Sequence, residues 1–270
     1  MNITDKDIID NLRKKYGHAS ASHSFLSLFI YGQSEGYKVT VGEDGFYAED
    51  KDGRFLFPVG SDECKRRFIE GHPGASVYML RKEDAEFIKT VKPEFEAEED
   101  PDRSEYVYSR EEQAYLEGHK FQKVRAKLSR FYRENDVKNV PLTTDNVDVA
   151  YKILERWTPK AGEGDAEGAK TALDNYAALE LSGMVTYING EPVGYCCGGD
   201  IGQGVYMLCS AKQISDVQGL NLSTKHELFK TLPSDIEYIN TESDHGSPGI
   251  RMHKNDSRPV FLNKMYKGIL

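Results

Sequence analysis

Side chains that can transfer protons or bind charge are concentrated between Asn240 and Lys254. The titratable ones are Glu242, Asp244, His245, Arg251, His253 and Lys254. Gly246, Pro248 and Gly249 lie among them and favour sharp turns of a loop. The preceding residues, Ile236 to Asn240, alternate apolar and polar side chains as a half-buried strand does. Because open α/β sheets place ligand-binding and catalytic groups in loops after strand ends, this segment is the candidate active site.

Glu242 and Asp244 are the candidates for a general base. They lie two positions apart, so an extended chain would turn both toward one cleft, where mutual repulsion would raise the pKa of one of them. Arg251, Lys254 and, from an earlier helix, Arg125 could bind a phosphate or carboxylate group. These residue types fit acyl transfer to an amine or a hydroxyl. The alternative is a solvated loop whose acids and bases pair with one another.

Two other kinds of site receive less support. His245 and His253 flank Asp244 and Arg251, but this spacing matches no established ligand pattern, so no metal is predicted. Cys209 could serve as the nucleophile of a Cys-His enzyme. A cysteine in an apolar strand more often packs in the core, however, and we expect this of Cys209.

Length and composition indicate a soluble, folded protein. A chain of 270 residues can form one large or two modest domains, of which two are preferred, and 39% hydrophobic residues with 16 Tyr argue strongly against disorder. The net charge of -9 argues against nonspecific binding of the whole protein to nucleic acid or anionic lipid, although a local basic patch could bind either. The start of the chain has no secretory signal pattern, and no apolar run approaches a transmembrane segment. With four cysteines and no C-x-x-C motif, we expect a cytoplasmic location.

The first hundred residues predict a compact α+β unit. Three short strands, Tyr37 to Val41, Phe46 to Glu49 and Arg54 to Pro58, are separated by Asp-Gly turns and predict a β-meander. The acidic, proline-containing stretch from Lys92 to Arg103 is the predicted boundary region. We therefore expect one unit at 1–104 and a second at 105–270.

The second half predicts helices around another meander. A long helix is expected from Arg110 to Asn135, with a basic face between His119 and Arg133 that could bind an anion or pair with the acidic stretch before it. The Gly-rich tract from Ala161 to Gly168 predicts a mobile loop. Three antiparallel strands, a helix at Gly219 to Thr231 and the strand before Asn240 follow. The expected fold is α+β, layered as in α/β proteins, with mixed sheets flanked by helices.

Three runs of sequence carry a family resemblance. They are E-Y-V-Y at Glu105 to Tyr108, G-H-K-F-Q-K-V-R-A-K-L-S-R-F at Gly118 to Phe131, and Y-I-N-T-E-S-D-H-G-S-P-G-I-R-M-H-K at Tyr238 to Lys254. The chain resembles, over nearly its whole length, a bacterial family of formerly unknown function related to the C-terminal domain of phosphatidylglycerol lysyltransferases. The resemblance implies two tandem GNAT-like acyltransferase units, the second more complete. Its lysyltransferase relatives move an aminoacyl group from a charged tRNA to a lipid headgroup.

The resemblance also implies roles for single residues. Asn240 would belong to the catalytic set, and Tyr108 would bind substrate. In GNAT folds the strand carrying Cys209 and Ser210 splays from its neighbour, so backbone N–H groups there would bind an oxyanion or a donor. Gly219, at a helix start, would let the backbone approach a pyrophosphate.

The donor and acceptor stay open at this point. The loop around Gly219 is a degenerate acyl-CoA loop, so no cofactor is firmly implied, and the donor is acyl-CoA or aminoacyl-tRNA. The acceptor is a small molecule or a lipid headgroup. The family usually has Lys-Arg-Asn where this chain has Val124-Arg125-Ala126, Glu-Lys where it has Cys209-Ser210, and Arg where it has Thr241.

Two functions are therefore compatible with the sequence. The first is an acyl or aminoacyl transferase with a cleft between the two units. The second is a catalytically silent member of the same fold that binds a ligand or a protein partner. A transferase should have a continuous cleft that reaches Glu242, with a splayed strand beside Cys209. In a binding protein the same opening could be filled by side chains.

Overall fold

A computed structural model describes residues 1–160 and 163–270 of the chain. The strands of this described part are β1 (Lys38–Val41), β2 (Gly45–Glu49), β3 (Phe55–Gly60), β4 (Ser76–Leu80), β5 (Glu98–Glu99), β6 (Glu105–Ser109), β7 (Val137–Leu142), β8 (Ser182–Ile188), β9 (Glu191–Asp200), β10 (Val205–Gln213), β11 (Tyr238–Asn240), β12 (Phe261–Asn263) and β13 (Tyr266–Ile269). The α-helices are α1 (Lys6–Lys15), α2 (Phe25–Ile30), α3 (Asp62–Gly71), α4 (Lys82–Val91), α5 (Arg110–Tyr115), α6 (Gln122–Glu134), α7 (Val147–Trp157), α8 (Glu163–Asp174), α9 (Leu220–Thr231) and α10 (Pro248–Asp256).

The strands form two mixed sheets. The strand order is β1-β2-β3-β4-β13-β5 in the first sheet and β12-β6-β11-β10-β9-β8-β7 in the second. Each sheet contains one parallel pair, β3 with β4 and β10 with β11. Helices pack on the sheets, α3 against β3, α7 against β9 and α9 against β8. The predicted fold class, mixed sheets flanked by helices, is confirmed.

The two sheets divide near the predicted boundary, with one exception. Strands β1 to β5 precede residue 104, and β6 to β12 follow it, but β13 returns to the first sheet between β4 and β5. One buried apolar cluster also joins the halves, since Phe25 and Leu28 belong to it together with Leu142, Ile153 and Met207. The halves therefore share a core, and their independence as domains stays a prediction.

Both predicted meanders are present. Strands β1, β2 and β3 pair in antiparallel order, as do β8, β9 and β10. At the β8–β9 turn, Asn189 and Gly190 have φ of +53° and +81°. Two successive residues with positive φ form the hairpin turn whose twist matches that of the flanking strands, which explains why the Asn-Gly pair is a reliable signal.

The single long helix predicted from Arg110 to Asn135 is wrong, because the structure has two helices there. Leu116 and Gly118, between α5 and α6, have φ of +54° and +80°, a left-handed backbone that ends a helix. Arg125 donates hydrogen bonds to the carbonyl oxygens of both residues, at 2.8 Å for Gly118. Its guanidinium satisfies carbonyl groups that a continuous helix would have satisfied itself.

Two predicted loops are partly helical. The loop predicted from Ala161 to Gly168 contains the first turns of α8, while residues 161 and 162 lie outside the described part. In the segment from Asn240 to Lys254, the predicted loop gives way to α10 at Pro248. Proline fits the first turn of a helix because the N–H group that it lacks would have no partner there.

Candidate active site

The site lies where β10 and β11 separate. The two strands pair in parallel over only three positions, Val205 to Met207 with Tyr238 to Asn240. Beyond Met207, β10 continues to Gln213 whereas β11 has ended, and a register shift against β9 between Leu208 and Ser210 leaves Cys209 in a bulge. The expected splay beside Cys209 is therefore present.

The separated strands open into a cavity of about 620 Å³. Both halves of the chain line it: Tyr31, Ser34, Glu35 and Tyr37 before residue 104, and Tyr108, Cys209, Ser210, Lys225, Glu242 and Lys254 after it. The opening is continuous from Cys209 to Glu242 and is not filled by side chains. This is the geometry expected of a transferase.

Glu242 lies in the cavity wall and is partly buried. Its carboxylate accepts a hydrogen bond from the Tyr31 hydroxyl at 3.0 Å. Desolvation by burial raises the pKa of Glu242 to about 7, against a smaller lowering by the Lys254 ammonium. A carboxylate whose pKa lies near neutral pH can accept and return a proton under physiological conditions, as general acid–base catalysis requires.

Asn240 holds the backbone that carries Glu242. The Asn240 side chain is buried, donates to the Glu105 carboxylate at 2.7 Å and accepts from the Glu242 N–H at 2.8 Å. Glu242 itself has φ of +60°, a conformation that costs energy in a residue with a side chain. Asn240 is not part of the cavity wall, so it orients Glu242 through the backbone.

The expectation that Asp244 faces the same cleft as Glu242 is wrong. Asp244 is fully buried away from the cavity and accepts hydrogen bonds from the Tyr106 hydroxyl at 2.6 Å, the Gly246 N–H at 2.9 Å and the Arg251 guanidinium at 2.8 Å. The Arg251 guanidinium is the main cause that lowers the pKa of Asp244 to about 2. Burial, rather than repulsion between the two carboxylates, therefore raises the pKa of Glu242.

Lys254 lies in the cavity wall and fixes the loop after β11. Its ammonium donates to the carbonyl oxygens of Thr241, Glu242 and Ser243, at 3.0 Å and 2.8 Å for the last two. These bonds occupy its three donor hydrogens. Burial lowers the pKa of Lys254 to about 8. The Tyr108 hydroxyl, also at the cavity, donates to the Lys254 carbonyl oxygen at 2.9 Å.

Neither predicted arginine reaches the cavity. Arg251 connects Asp244 to Asp102, at 2.7 Å from the latter, and Arg125 is bound to the carbonyls of the α5–α6 connection. The basic face of α6 is also partly paired, Lys120 with Glu112, Lys127 with Asp256 and Arg130 with Glu134. Among the described residues, no ion pair joins this face to the acidic stretch from Lys92 to Arg103.

Cys209 and Ser210 are buried in the cavity wall, as the splay requires. The Ser210 hydroxyl donates to the Tyr195 hydroxyl oxygen at 3.1 Å. A hydrogen bond with Cys197 and burial raise the pKa of the Cys209 thiol well above its usual range, which opposes its use as a nucleophile. A role for the nearby backbone N–H groups in binding an oxyanion stays a prediction.

Gly219 allows α6 to pack closely against the start of α9, and it does not leave room for a pyrophosphate. It has φ of +101° immediately before α9, and a Cβ atom at this position would lie 2.8 Å from Cβ of Phe131 in α6. The space in front of the glycine is thus occupied by protein, and Gly219 is not in the cavity wall.

The two histidines that were considered as metal ligands each lie beside a cationic side chain. The His245 Nδ1 atom lies 3.4 Å from the Arg103 guanidinium, and the His253 Nε2 atom 3.2 Å from the Lys225 ammonium. Among the side chains that the structure describes, no group of three His, Cys, Asp or Glu could hold a metal ion.

Sequence reasoning missed several side chains of the cavity, among them Tyr31, Lys225 and Asp165. Tyr31 directly follows the apolar helix α2, where nothing in its spacing separates it from the core residues before it. Lys225 lies on the face of α9 that lines the cavity. Asp165 lies in the tract that was predicted to be a loop, and it pairs with Lys212 of β10 at 2.5 Å.

Fold and site together define a protein of two mixed sheets whose cavity lies between separated strands. The chain belongs to the family described as phosphatidylglycerol lysyltransferase, C-terminal, whose family model matches residues 13–266. No curated protein matches the chain. No helix in the described part of the chain is long and apolar enough to span a membrane.

Solved structures of low sequence identity share this fold. A conserved protein of unknown function from Bacteroides thetaiotaomicron is 23% identical with a TM-score of 0.92, covering 100% of this chain and 98% of its own. The C-terminal domain of a candidate lysylphosphatidylglycerol synthetase from Agrobacterium fabrum is 13% identical, with a TM-score of 0.71 and coverages of 100% and 92%. L-PGS from Bacillus licheniformis is 14% identical, with a TM-score of 0.67 and coverages of 98% and 91%.

Proposed function

We propose that this protein is an aminoacyltransferase that moves an aminoacyl group from an aminoacyl-tRNA to an amine or hydroxyl acceptor. The observation that carries the proposal is the open cavity between β10 and β11, with Glu242 in its wall at a pKa of about 7. Membership of a phosphatidylglycerol lysyltransferase family supports aminoacyl rather than other acyl transfer. The acceptor is then a lipid headgroup or a small molecule.

In this proposal Glu242 is the general base. Its carboxylate takes the proton from the acceptor hydroxyl or amine as the acceptor atom attacks the carbonyl carbon of the aminoacyl ester. The bond from that carbon to the ribose oxygen of the tRNA then breaks, and protonated Glu242 returns the proton to the leaving oxygen. Backbone N–H groups at the Cys209 bulge are candidates to stabilise the negative charge that develops on the carbonyl oxygen.

Aminoacyl-tRNA is a better donor than acyl-CoA for one structural reason. The glycine that would admit a coenzyme A pyrophosphate, Gly219, has Phe131 packed against it. An aminoacyl ester at the end of a tRNA needs only its terminal residues to enter the cavity. The catalytically silent alternative receives less support, because a protein that only binds a ligand has no need of a carboxylate with a pKa of about 7 in its cavity wall.

The test is a transfer assay with purified protein, a panel of tRNAs charged with radioactive amino acids, and lipid or amine acceptors. Glu242→Gln should lower the transfer rate by about 100-fold or more, because it removes the base and keeps the side-chain shape. The matched control is Glu237→Gln, an exposed glutamate just before β11 and outside the cavity.

Equal activity of the Glu242→Gln variant and the wild type would refute the assignment of the base. Saturable binding of an aminoacyl-tRNA by the wild type, with no transfer to any acceptor, would favour the silent binding protein. Acyl transfer from acetyl-CoA at rates above those from every aminoacyl-tRNA would contradict the proposed donor.

A further inference from the structure

One end of the cavity is basic and has no part in the transfer step proposed above. Helix α9 lines this end with five side chains that lie on one face of the helix. They are Asn221, Leu222, Lys225, His226 and Phe229. Helix α10 faces them, and the Lys225 ammonium donates to the His253 Nε2 atom at 3.2 Å.

Lys225 has no counter-charge in the described part of the chain. No carboxylate among the described side chains lies within ion-pair distance of it, and a neutral histidine ring is the partner of its ammonium. The other lysines of the cavity differ: Lys212 pairs with Asp165 at 2.5 Å, and Lys254 is bound to three carbonyls. A partly buried ammonium without an anion is costly, which points to a ligand that supplies the negative charge.

The pKa values of Lys225 and His253 indicate an excess of positive charge at this end of the cavity. Burial lowers the pKa of Lys225 to about 8, against a smaller opposing effect of the Cys196 thiol, and no carboxylate contributes. The Lys225 ammonium is the main cause that lowers the pKa of His253 to about 4. An anion between these groups would relieve the repulsion.

Asn221 adds an unused hydrogen-bonding group at the same place. It precedes Lys225 by one helical turn, so both side chains project from the same face of α9. Its Oδ1 atom is buried and has no hydrogen-bond partner among the described residues. A buried amide oxygen without a partner is destabilising, and a rotation of the amide would present its NH₂ group to a ligand oxygen.

We propose that Lys225, Asn221 and His253 bind a phosphate group of a substrate. The ammonium supplies the charge, the Asn221 amide supplies a donor, and the His253 ring, whose Nε2 atom accepts from Lys225, holds the ammonium in place. The site rests on the proposed function, which supplies two sources of a phosphate diester. One is the 3′ end of the tRNA donor, and the other is a phospholipid-type acceptor.

The test is calorimetric titration of the folded protein with inorganic phosphate. Lys225→Met keeps the aliphatic stem and a good helix former, and it should weaken phosphate binding about tenfold or more. Lys212→Met is the matched control, because it removes the same charge from the same cavity at a lysine that Asp165 already neutralises. It should change the affinity less than twofold.

Competition then identifies the source. Displacement of phosphate by the trinucleotide CCA, the 3′ end of tRNA, would assign the site to the donor, and displacement by glycerophosphoglycerol would assign it to the acceptor. The proposal is overturned if phosphate binds equally well to the Lys225→Met variant, if it does not bind at all, or if neither competitor displaces it.

The failure of this proposal can be distinguished from failure of the proposed function. The Glu242→Gln variant should bind phosphate as the wild type does, because the site does not include that carboxylate. Phosphate binding that depends on Lys225 in a protein without transferase activity would leave the site in place and remove only the proposed reaction. Transfer without phosphate binding would do the opposite.

Discussion

The two halves of the loop after β11 carry carboxylates in opposite surroundings. In the outer half, Asp244 is fully buried and accepts hydrogen bonds from Arg251, Tyr106 and Gly246, which hold its pKa at about 2. In the inner half, Glu242 accepts one side-chain hydrogen bond in the described part of the chain, from Tyr31, and has a pKa of about 7.

This difference separates a structural carboxylate from a reactive one. A carboxylate with several donors stays ionised and holds the chain in place, whereas a desolvated carboxylate with one donor can exchange a proton near neutral pH. Two residues of the same chemical type, two positions apart, thus acquire different functions from their surroundings. The comparison makes three predictions about single substitutions.

The largest expected effect is loss of stability in Asp244→Asn. The substitution leaves the Arg251 guanidinium facing an amide and should lower the free energy of unfolding by about 2 to 3 kcal/mol at pH 7. Because the folded pKa lies below the unfolded one, this contribution is present above pH 4 and is lost as the pH falls toward 2. Urea unfolding of both proteins measures it.

The control for this prediction is Asp102→Asn. Asp102 is exposed and binds the same guanidinium at 2.7 Å, so its replacement should cost less than about 0.5 kcal/mol. Equal costs for the two substitutions would show that Asp244 is an ordinary surface partner of Arg251.

The second prediction concerns Glu242, whose ionisation destabilises the folded protein, whereas the ionisation of Asp244 stabilises it. Glu242 has a raised folded pKa, so its contribution to stability is fully present below the unfolded pKa and is lost as the pH rises through 7. Glu242→Gln cannot ionise, and its free energy of unfolding relative to the wild type should increase by about 1 to 2 kcal/mol between pH 5 and pH 8. Urea unfolding at the two pH values measures this change. A difference that is independent of pH would contradict the desolvation of Glu242.

The smallest expected effect is on the transfer rate, when the hydrogen bond from Tyr31 to Glu242 is removed. Tyr31→Phe removes a donor that lowers the pKa of Glu242, so the pKa should rise and less carboxylate is present at pH 7. The transfer rate at pH 7 should fall about fivefold, as expected for one hydrogen bond worth about 1 kcal/mol. Tyr37→Phe, at the same cavity but bound to Tyr78, should leave the rate unchanged. Equal losses in the two variants would indicate a general effect on the cavity.

Local signals in the sequence were sufficient for much of the fold. The Asn-Gly turn at Asn189 and Gly190 fixed the β8–β9 hairpin, and the strand end at Asn240 located the segment that carries Glu242. The break between α5 and α6 could not be predicted, because Arg125 stabilises it through the carbonyls of residues that are seven and nine positions away.

The candidate site was only partly predictable, because burial and partners depend on tertiary contacts. Alternation along the chain indicates that Glu242 and Asp244 point to one side, but it cannot show that Tyr106 and Arg251 enclose one of them. Tyr31 reaches Glu242 across 211 positions of sequence, which no local pattern encodes. Lys225 is similarly one of many helical lysines until its lack of a counter-charge is seen.

The pH dependence of single-turnover aminoacyl transfer tests the central claim most directly. The wild-type rate should rise with pH through a midpoint near 7, as Glu242 loses its proton, and level off above pH 8. The Glu242→Gln variant should lose both the rate and this midpoint, while it still binds the aminoacyl-tRNA. A variant that keeps the same rate and the same midpoint would show that another group is the base.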